Sequence, residues 1–153
     1  MPAPYENQKA AFGRPLIGAL LRGPWEIVNQ RMLAGLHERG YEDVVPAYLS
    51  VMQYPGPQGM RPSDLAARSG MTRQALNYLL GQMERRGYLE RVEEDDPRFK
   101  RIQLTTRGVE LGTAMREIVG ELEDEWTGLL GGDRFTALRD DLLVLNDPSA
   151  DRP

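Results

Sequence analysis

The stretch RPSDLAARSGMTRQALNYLLGQMERRGYLERV, residues 61–92, carries the local signals of two short helices joined by a tight turn. Pro62 suits the first position of a helix, Gly70 ends that helix within three turns, and Thr72 can cap a second one. Gly87 favours the left-handed backbone that closes the second helix at its C-terminus. The sequence therefore predicts a helix-turn-helix.

The second of these helices has two faces of opposite character. Its apolar stripe repeats at helical spacing, which predicts contact with a core. The stripe consists of Ala75, Leu76, Leu79, Leu80 and Met83. The opposite face, near the start of the helix, consists of the polar or amide-bearing residues Arg73, Gln74, Asn77 and Tyr78.

That polar face has the chemistry of base recognition. A helix-turn-helix places the start of its second helix in the major groove of DNA, where each base pair displays a distinct pattern of donors and acceptors. Arg73 could bind guanine in bidentate fashion, and Gln74 or Asn77 could pair with adenine. Thr72 or Tyr78 could bond a phosphate or touch a thymine methyl group. Each residue alone also suits a solvated helix face, but together they predict DNA contact.

The next stretch, VEEDDPRFKRIQLTTRG at residues 92–108, predicts a hairpin with a reversal of charge at its turn. Short strands are expected over residues 88–92 and 99–104. If the hairpin is a wing beside the second helix, Arg98 lies near a tip that can reach the DNA backbone or the narrow minor groove. Lys100 is a further candidate for DNA contact.

The acidic residues of this turn need a separate explanation, because a carboxylate that faces phosphate repels it. Asp96, or its neighbour Asp95, is expected to accept hydrogen bonds from turn N–H groups or from the wing arginine, and so to orient that arginine. Glu93 and Glu94 are then expected to point away. A solubilising turn with incidental charge is the alternative.

Amphipathic helices are predicted on both sides of this middle region. Upstream, apolar positions recur at three- to five-residue steps over residues 16–39, interrupted at Pro24, which leaves open a kinked helix or two segments. A short helix is expected over residues 44–52. Downstream, a long helix begins near Thr105 and is ended by a pair of glycines, and Asp133 is placed to cap a last helix.

These signals predict a mainly α fold with a small two- or three-stranded β wing. Apolar stripes on the outer helices need a burial partner, which a second copy of the chain could provide; packing within one subunit is the alternative. The predicted parts are a flexible N-terminus (1–10), an N-terminal dimerisation helix interrupted near Pro24 (11–40), a winged helix-turn-helix DNA-binding domain (41–108), C-terminal dimerisation helices (109–146) and a flexible tail (147–153).

Charge is unevenly distributed along the chain. The 153 residues have a net charge of −4, but residues 1–60 carry five bases and five acids, and residues 61–107 carry ten bases against seven acids. Residues 108–153 carry four bases against eleven acids. A basic centre permits a polyanionic partner, although uneven surface charge explains the count equally well. A protein partner docked on the acidic C-terminal helices, without DNA binding, is the alternative function.

Composition excludes several other classes. The chain has no cysteine, and His37 is its only histidine, so thiol chemistry is absent and no cofactor or metal site is expected. No phosphate loop and no nucleophile beside a base are found, which argues against an enzyme. No run approaches eighteen apolar residues, and the N-terminus has no secretory pattern, so we expect a cytoplasmic protein without a membrane partner.

The residues over about 41–108 resemble the MarR-type winged-helix regulators of bacteria. The resemblance rests on LA in the first helix of the pair, on MERRGYL at residues 83–89, and on a wing that reads Asp-x-Arg six residues before Leu-Thr, here Asp96 to Arg98 and then Leu104. The flanking helices also fit in order and length. The chain departs from the family pattern at Pro97, where a basic residue is frequent, which leaves the reach of the wing open.

The resemblance implies a homodimer with intertwined terminal helices that binds a pseudo-palindromic operator in double-stranded DNA and usually represses nearby genes. It implies groove-facing places for Thr72, Arg73, Gln74, Asn77 and Tyr78, and the wing-tip place for Arg98. Many members release DNA when a small, often phenolic molecule binds between the dimer helices and the DNA-binding lobe. Aromatic residues in the corresponding region are Trp25, Tyr48 and Tyr54, for which core packing is the simpler interpretation.

Overall fold

The computed structural model describes residues 13–56, 58–94, 96 and 100–147. Within these ranges the chain forms six helices and one antiparallel pair of strands. In chain order they are α1 (Ile17–Glu38), α2 (Pro46–Met52), α3 (Pro62–Ser69), α4 (Arg73–Arg85), β1 (Leu89–Glu93), β2 (Lys100–Leu104), α5 (Thr106–Leu130) and α6 (Gly132–Asn146). The predicted fold class is confirmed. No helix of the described ranges is both long and apolar enough to cross a membrane.

The local signals that predicted the helix-turn-helix have the expected backbone partners. Gly70 follows α3 with φ +67°, a left-handed conformation that glycine adopts without steric cost. The hydroxyl oxygen of Thr72 accepts a hydrogen bond from the N–H of Ala75 at 3.2 Å, which caps α4. At the other end, the N–H of Gly87 donates to the carbonyl of Glu84 at 3.0 Å. Each helix of the pair therefore ends where its sequence predicts.

The wing is a hairpin with a short third partner. β1 and β2 pair antiparallel along their full length. The N–H of Met60 donates to the carbonyl of Ile102 at 2.9 Å, and the N–H of Ile102 donates back at 2.8 Å. This single bridge attaches the segment before α3 to the middle of β2, in agreement with the predicted two- or three-stranded wing.

Some predicted boundaries change in the structure. α1 is one uninterrupted helix with Pro24 inside it. Proline has no N–H to donate to the carbonyl of Leu20, but Leu20 is exposed, so water can reach that carbonyl. α2 begins at Pro46 and not at residue 44, because a proline fits the first helical turn. The prediction that Asp133 caps the last helix was wrong: α6 begins at Gly132, so that Asp133 lies in its first turn.

The core lies between the helix-turn-helix and the first half of α5. It is a cluster of buried side chains from α1 to α5 and both strands, and its fully inaccessible members include Leu36, Tyr48, Leu80, Ile102 and Leu111. α6 contributes no buried residue, and α1 buries two residues near its end. The predicted flexible N-terminus, residues 1–10, and nearly all of the predicted tail lie outside the described residues.

α5 begins in close contact with Tyr88, the residue that precedes β1. A Cβ atom added at Gly108 would lie 1.9 Å from the carbonyl oxygen of Tyr88. That oxygen also accepts a hydrogen bond from the N–H of Thr105 at 3.2 Å. The contact therefore requires glycine, because neither backbone can move away without breaking a capping interaction.

We expect Gly108→Ala to destabilise the protein by at least about 1–3 kcal/mol, the usual cost of overpacking, because the clash is with backbone. The measurement is urea unfolding followed by circular dichroism. Gly112→Ala on the same helix is the matched control, since no atom lies within 4 Å of its added Cβ. The control should be neutral or stabilising by about 0.5–1 kcal/mol. Equal midpoints for the two variants would contradict this account of the contact.

Candidate nucleic-acid interface

The first two turns of α4 present a polar, exposed face. Burial of Leu76 and Leu80 against the core turns the opposite side of the helix outward. The exposed side chains are those that the sequence predicted: Thr72, Arg73, Gln74, Asn77 and Tyr78. Ala75 was predicted to lie in the apolar stripe, but it is exposed, because it sits at the edge of the stripe, one step before Leu76.

The side chains of this face are available to a partner. Arg73, Gln74, Asn77 and Tyr78 make no hydrogen bond or ion pair with any described residue, and the ring of Tyr78 is 69% exposed. Thr72 differs, because its oxygen already accepts the capping bond. A hydroxyl can accept one bond and donate another, so Thr72 can still donate to a phosphate. The face thus offers amide, guanidinium and hydroxyl groups on the first two turns of one helix.

The residues predicted for the wing are only partly described. Lys100 begins β2 and is exposed, whereas Arg98 lies outside the described residues. Asp96 is half-buried. The pKa of Arg61 is raised above its ordinary value, and the largest cause is the hydrogen bond that Arg61 donates to Glu94. The negative charge of Asp96 adds to this effect. Orientation of Arg98 by Asp96 therefore stays a prediction.

Glu94 was predicted to point away from phosphate, and that direction stays a prediction; its arginine partners were not predicted. Its carboxylate is only 15% exposed and lies between two arginines. Arg61 donates to it through Nε at 3.0 Å and also through Nη2, and the Nε atom of Arg101 lies 3.2 Å from Oε1. These interactions, those from Arg61 first, hold the pKa of Glu94 below its ordinary value. Its neighbour Glu93 is exposed.

A second polar group, the Asp43 cluster, links the end of α4 to the start of α5; its members are Asp43, Arg86, Tyr88 and Arg107. The hydroxyl of the buried Tyr88 donates to Oδ1 of Asp43 at 2.5 Å. Arg86 donates to the carbonyl of Asp43 at 2.9 Å, and Arg107 donates to the hydroxyl of Tyr88 at 3.1 Å. Sequence reasoning missed this cluster because its members are far apart in the chain and share no spacing.

The Asp43 cluster makes stability depend on pH. Burial of the Asp43 carboxylate opposes its ionisation, but the hydrogen bond from Tyr88 and the charges of Arg107 and Arg86 together lower the pKa of Asp43 below its ordinary value. A carboxylate of this kind stabilises the fold above its unfolded pKa of about 3.9. That contribution is lost as the pH falls through the folded pKa.

We expect Asp43→Asn to lower Tm at pH 7 and to flatten the fall of Tm between about pH 4 and pH 2, because the variant has no proton to take up at this site. The measurement is thermal unfolding at a series of pH values. Glu42→Gln is the matched control, since Glu42 is exposed and makes no ion pair with a described residue. The prediction fails if the two variants share one pH profile.

A groove of about 950 Å³ lies where the ends of α2 and β2 meet α1, α5 and α6. Its lining combines apolar groups with two guanidinium groups; it includes Met32, Tyr54, Met115, Arg116 and Arg139. The described ranges contain no group of three His, Asp or Glu side chains that could hold a metal ion. The apolar part of the lining suits an organic molecule with an apolar body.

The aromatic residues considered for a ligand site have different surroundings. Tyr48 is fully buried in the core, and Trp25 is exposed on α1. Tyr54 lines the groove, and its hydroxyl donates to the carbonyl of Arg68 in α3 at 3.2 Å. Of these three residues, Tyr54 alone connects the groove to the helix-turn-helix.

Comparison with known proteins finds one family-model match and several solved structures of similar fold. Residues 48–98 match the model of the MarR family. No curated protein matches the chain. Among solved structures, apo wild-type MarR from E. coli is 21% identical to it, with a TM-score of 0.70 over 88% of this chain and 98% of that chain.

Two complexes show the same fold. CouR, a transcriptional repressor bound to a 23-mer DNA duplex, is 23% identical, with a TM-score of 0.69 over 96% of this chain and 99% of that chain. CouR from Rhodococcus jostii RHA1 bound to p-coumaroyl-CoA is 21% identical, with a TM-score of 0.66 over 88% and 94%. These likenesses extend beyond the helix-turn-helix to the flanking helices.

Proposed function

We propose that the chain is a winged-helix regulator of the MarR type and that it binds double-stranded DNA as a homodimeric repressor. The match of residues 48–98 to the MarR family model and the shared fold support this proposal. The operator is pseudo-palindromic, and a small aromatic molecule releases the protein from it. The observation that carries the proposal is the exposed face of α4, where the side chains of Arg73, Gln74, Asn77 and Tyr78 have no hydrogen-bond or ion-pair partner among the described residues.

The proposed DNA contacts follow from the chemistry of that face. Arg73 binds guanine in the major groove, Gln74 or Asn77 pairs with adenine, and Thr72 and Tyr78 contact the backbone or a thymine methyl group. Beside them, Arg98 and Lys100 of the wing bind phosphate or the minor groove. These roles are supported by the exposure of all the described members of the set.

Dimerisation is supported by apolar surface at both ends of the chain. Ile17 and Trp25 of α1 and Leu143 of α6 are each more than half exposed, and α6 buries none of its residues. Exposed apolar patches of this kind mark interaction surfaces. A second copy that covers them joins two recognition helices across a two-fold axis, with half-sites about one turn of DNA apart, ~34 Å.

The proposed effector site is the groove beside Tyr54. Binding of p-coumaroyl-CoA by CouR shows that a protein of this fold takes an aromatic ligand. In this chain the methionines of the lining suit an aromatic ring, and Arg116 suits an anionic group attached to it.

Selection of bound duplexes from random DNA tests the function. A dimeric repressor should enrich two inverted half-sites one helical turn apart. The alternative, a protein that acts through its acidic C-terminal helices, predicts no mobility shift of any duplex even at low salt. Enrichment of unpaired half-sites alone would refute the dimeric part of the proposal.

We expect Arg73→Ala to weaken binding to the selected operator by about 1–3 kcal/mol and to relax base preference at one position of each half-site, because a bidentate contact with guanine is lost. Binding isotherms and a repeated selection measure the two effects. Arg85→Ala is the matched control, since it removes an exposed charge from the last turn of the same helix. Unchanged base preference in Arg73→Ala would show that this residue does not read the operator.

We expect Leu143→Glu to shift the protein from dimer to monomer, because a buried, unpaired carboxylate is costly at an apolar interface. Analytical ultracentrifugation over a range of concentrations measures the change. Leu143→Met keeps the apolar character and should remain dimeric. A dimer of undiminished strength in Leu143→Glu would remove α6 from the interface.

A further inference from the structure

The wing needs attachments to hold a fixed position beside α4. A two-stranded hairpin by itself is marginally stable in water. The end of the hairpin near the core is held by the buried side chain of Leu89, and its middle is held by the buried side chain of Ile102 and by the bridge from Ile102 to Met60. The last pair of the register, Glu93 with Lys100, lies beyond these attachments.

Glu94 attaches this outer end. It follows β1 directly, and its carboxylate joins two elements of the chain: Arg61, which precedes α3, and Arg101 of β2. Arg101 in turn donates from Nη1 to the carbonyls of Gln58 and Gly59, at 3.3 and 3.2 Å. One mostly buried carboxylate thus ties the outer part of the hairpin to the segment that leads into the helix-turn-helix.

The charge of Glu94 makes a second role conceivable, and the two roles predict opposite effects. A carboxylate near a DNA-binding face weakens binding by repulsion, so its removal strengthens binding. A carboxylate that positions the wing strengthens binding indirectly, so its removal weakens binding. The paired, half-hidden geometry of Glu94 favours the second role, because a carboxylate with two arginine partners projects little net negative charge toward DNA.

We propose that Glu94 is a positioning residue that fixes the wing against the N-terminus of α3, and so sets the distance between the wing cations and the recognition face of α4. This inference rests on the proposed DNA-binding function. It accounts for an acid within the charge reversal of residues 92–108, where a carboxylate opposite phosphate would otherwise be unfavourable.

The chain offers a matched pair of variants for the test, Glu94→Gln and Glu93→Gln. Each removes one negative charge at adjacent positions, but Glu93 is exposed and makes no ion pair with a described residue. Far-UV circular dichroism of both variants establishes that they fold. The first readout needs no DNA: amide hydrogen exchange of the peptides that contain Met60 and Ile102. We expect faster exchange in Glu94→Gln and wild-type exchange in Glu93→Gln.

The second readout is affinity for the duplex recovered by selection, with hydroxyl-radical footprinting of the same complex. Glu94→Gln should bind roughly tenfold more weakly, the order expected when charged hydrogen bonds that hold a contact are removed. It should lose protection where the wing meets DNA and keep the base preference set by α4. Glu93→Gln should bind as tightly as the wild type or slightly more tightly.

Two results would overturn the positioning role: equal or tighter DNA binding in Glu94→Gln than in Glu93→Gln, or unchanged amide exchange in Glu94→Gln. If the wild type binds no duplex, the proposed function fails, and the exchange experiment still decides whether Glu94 holds the wing.

Discussion

Burial of one face of α4 is the constraint on which the arrangement of this protein depends. Leu76, Leu80 and Met83 are almost or completely inaccessible, and a rotation of the helix that freed them would expose a large apolar area, at about 25 cal/mol for each Å². The rotation of the helix about its axis is therefore fixed from the inside. The polar face is directed outward as a result of core packing, without any interaction of its own.

Local signals explain why the central elements could be predicted. Caps, turn glycines and a proline at a helix start act within four residues, so Thr72, Gly70 and Gly87 define their helix ends in any tertiary context. The exposed recognition face followed from helical spacing alone. Exact starts were less predictable at α2, where the first-turn preference of Pro46 decided the boundary, and at α6, which begins one residue before Asp133.

Contacts between distant segments could not be predicted in the same way. The orientation of Glu94 depends on Arg61, 33 positions earlier, and the Asp43 cluster joins residues from a loop, a helix end and a helix start. Charged residues in a turn satisfy the same local preferences whether they face water or an arginine. Only the fold decides between these states, so the arginine partners of Glu94 could not be predicted from the sequence.

The acids of the C-terminal region serve partly to join the long helices. Glu121 pairs with Arg39, the residue that follows α1, and Glu123 pairs with Arg139 of α6, each at 2.8 Å. Exposed pairs of this kind contribute little energy individually. They occupy two of the carboxylates of this region, whereas the polar recognition face lies on a different helix, α4.

The hydrogen bond between Tyr54 and the carbonyl of Arg68 has a thermodynamic consequence. A molecule that enters the groove and displaces this ring must break a bond to the helix that precedes the recognition turn. Binding of that molecule in the groove and binding of DNA would then be thermodynamically coupled. Such a coupling is reciprocal. Operator occupancy would lower the affinity of the groove for that molecule by the same factor, so that free protein would respond to lower concentrations of it than protein on DNA.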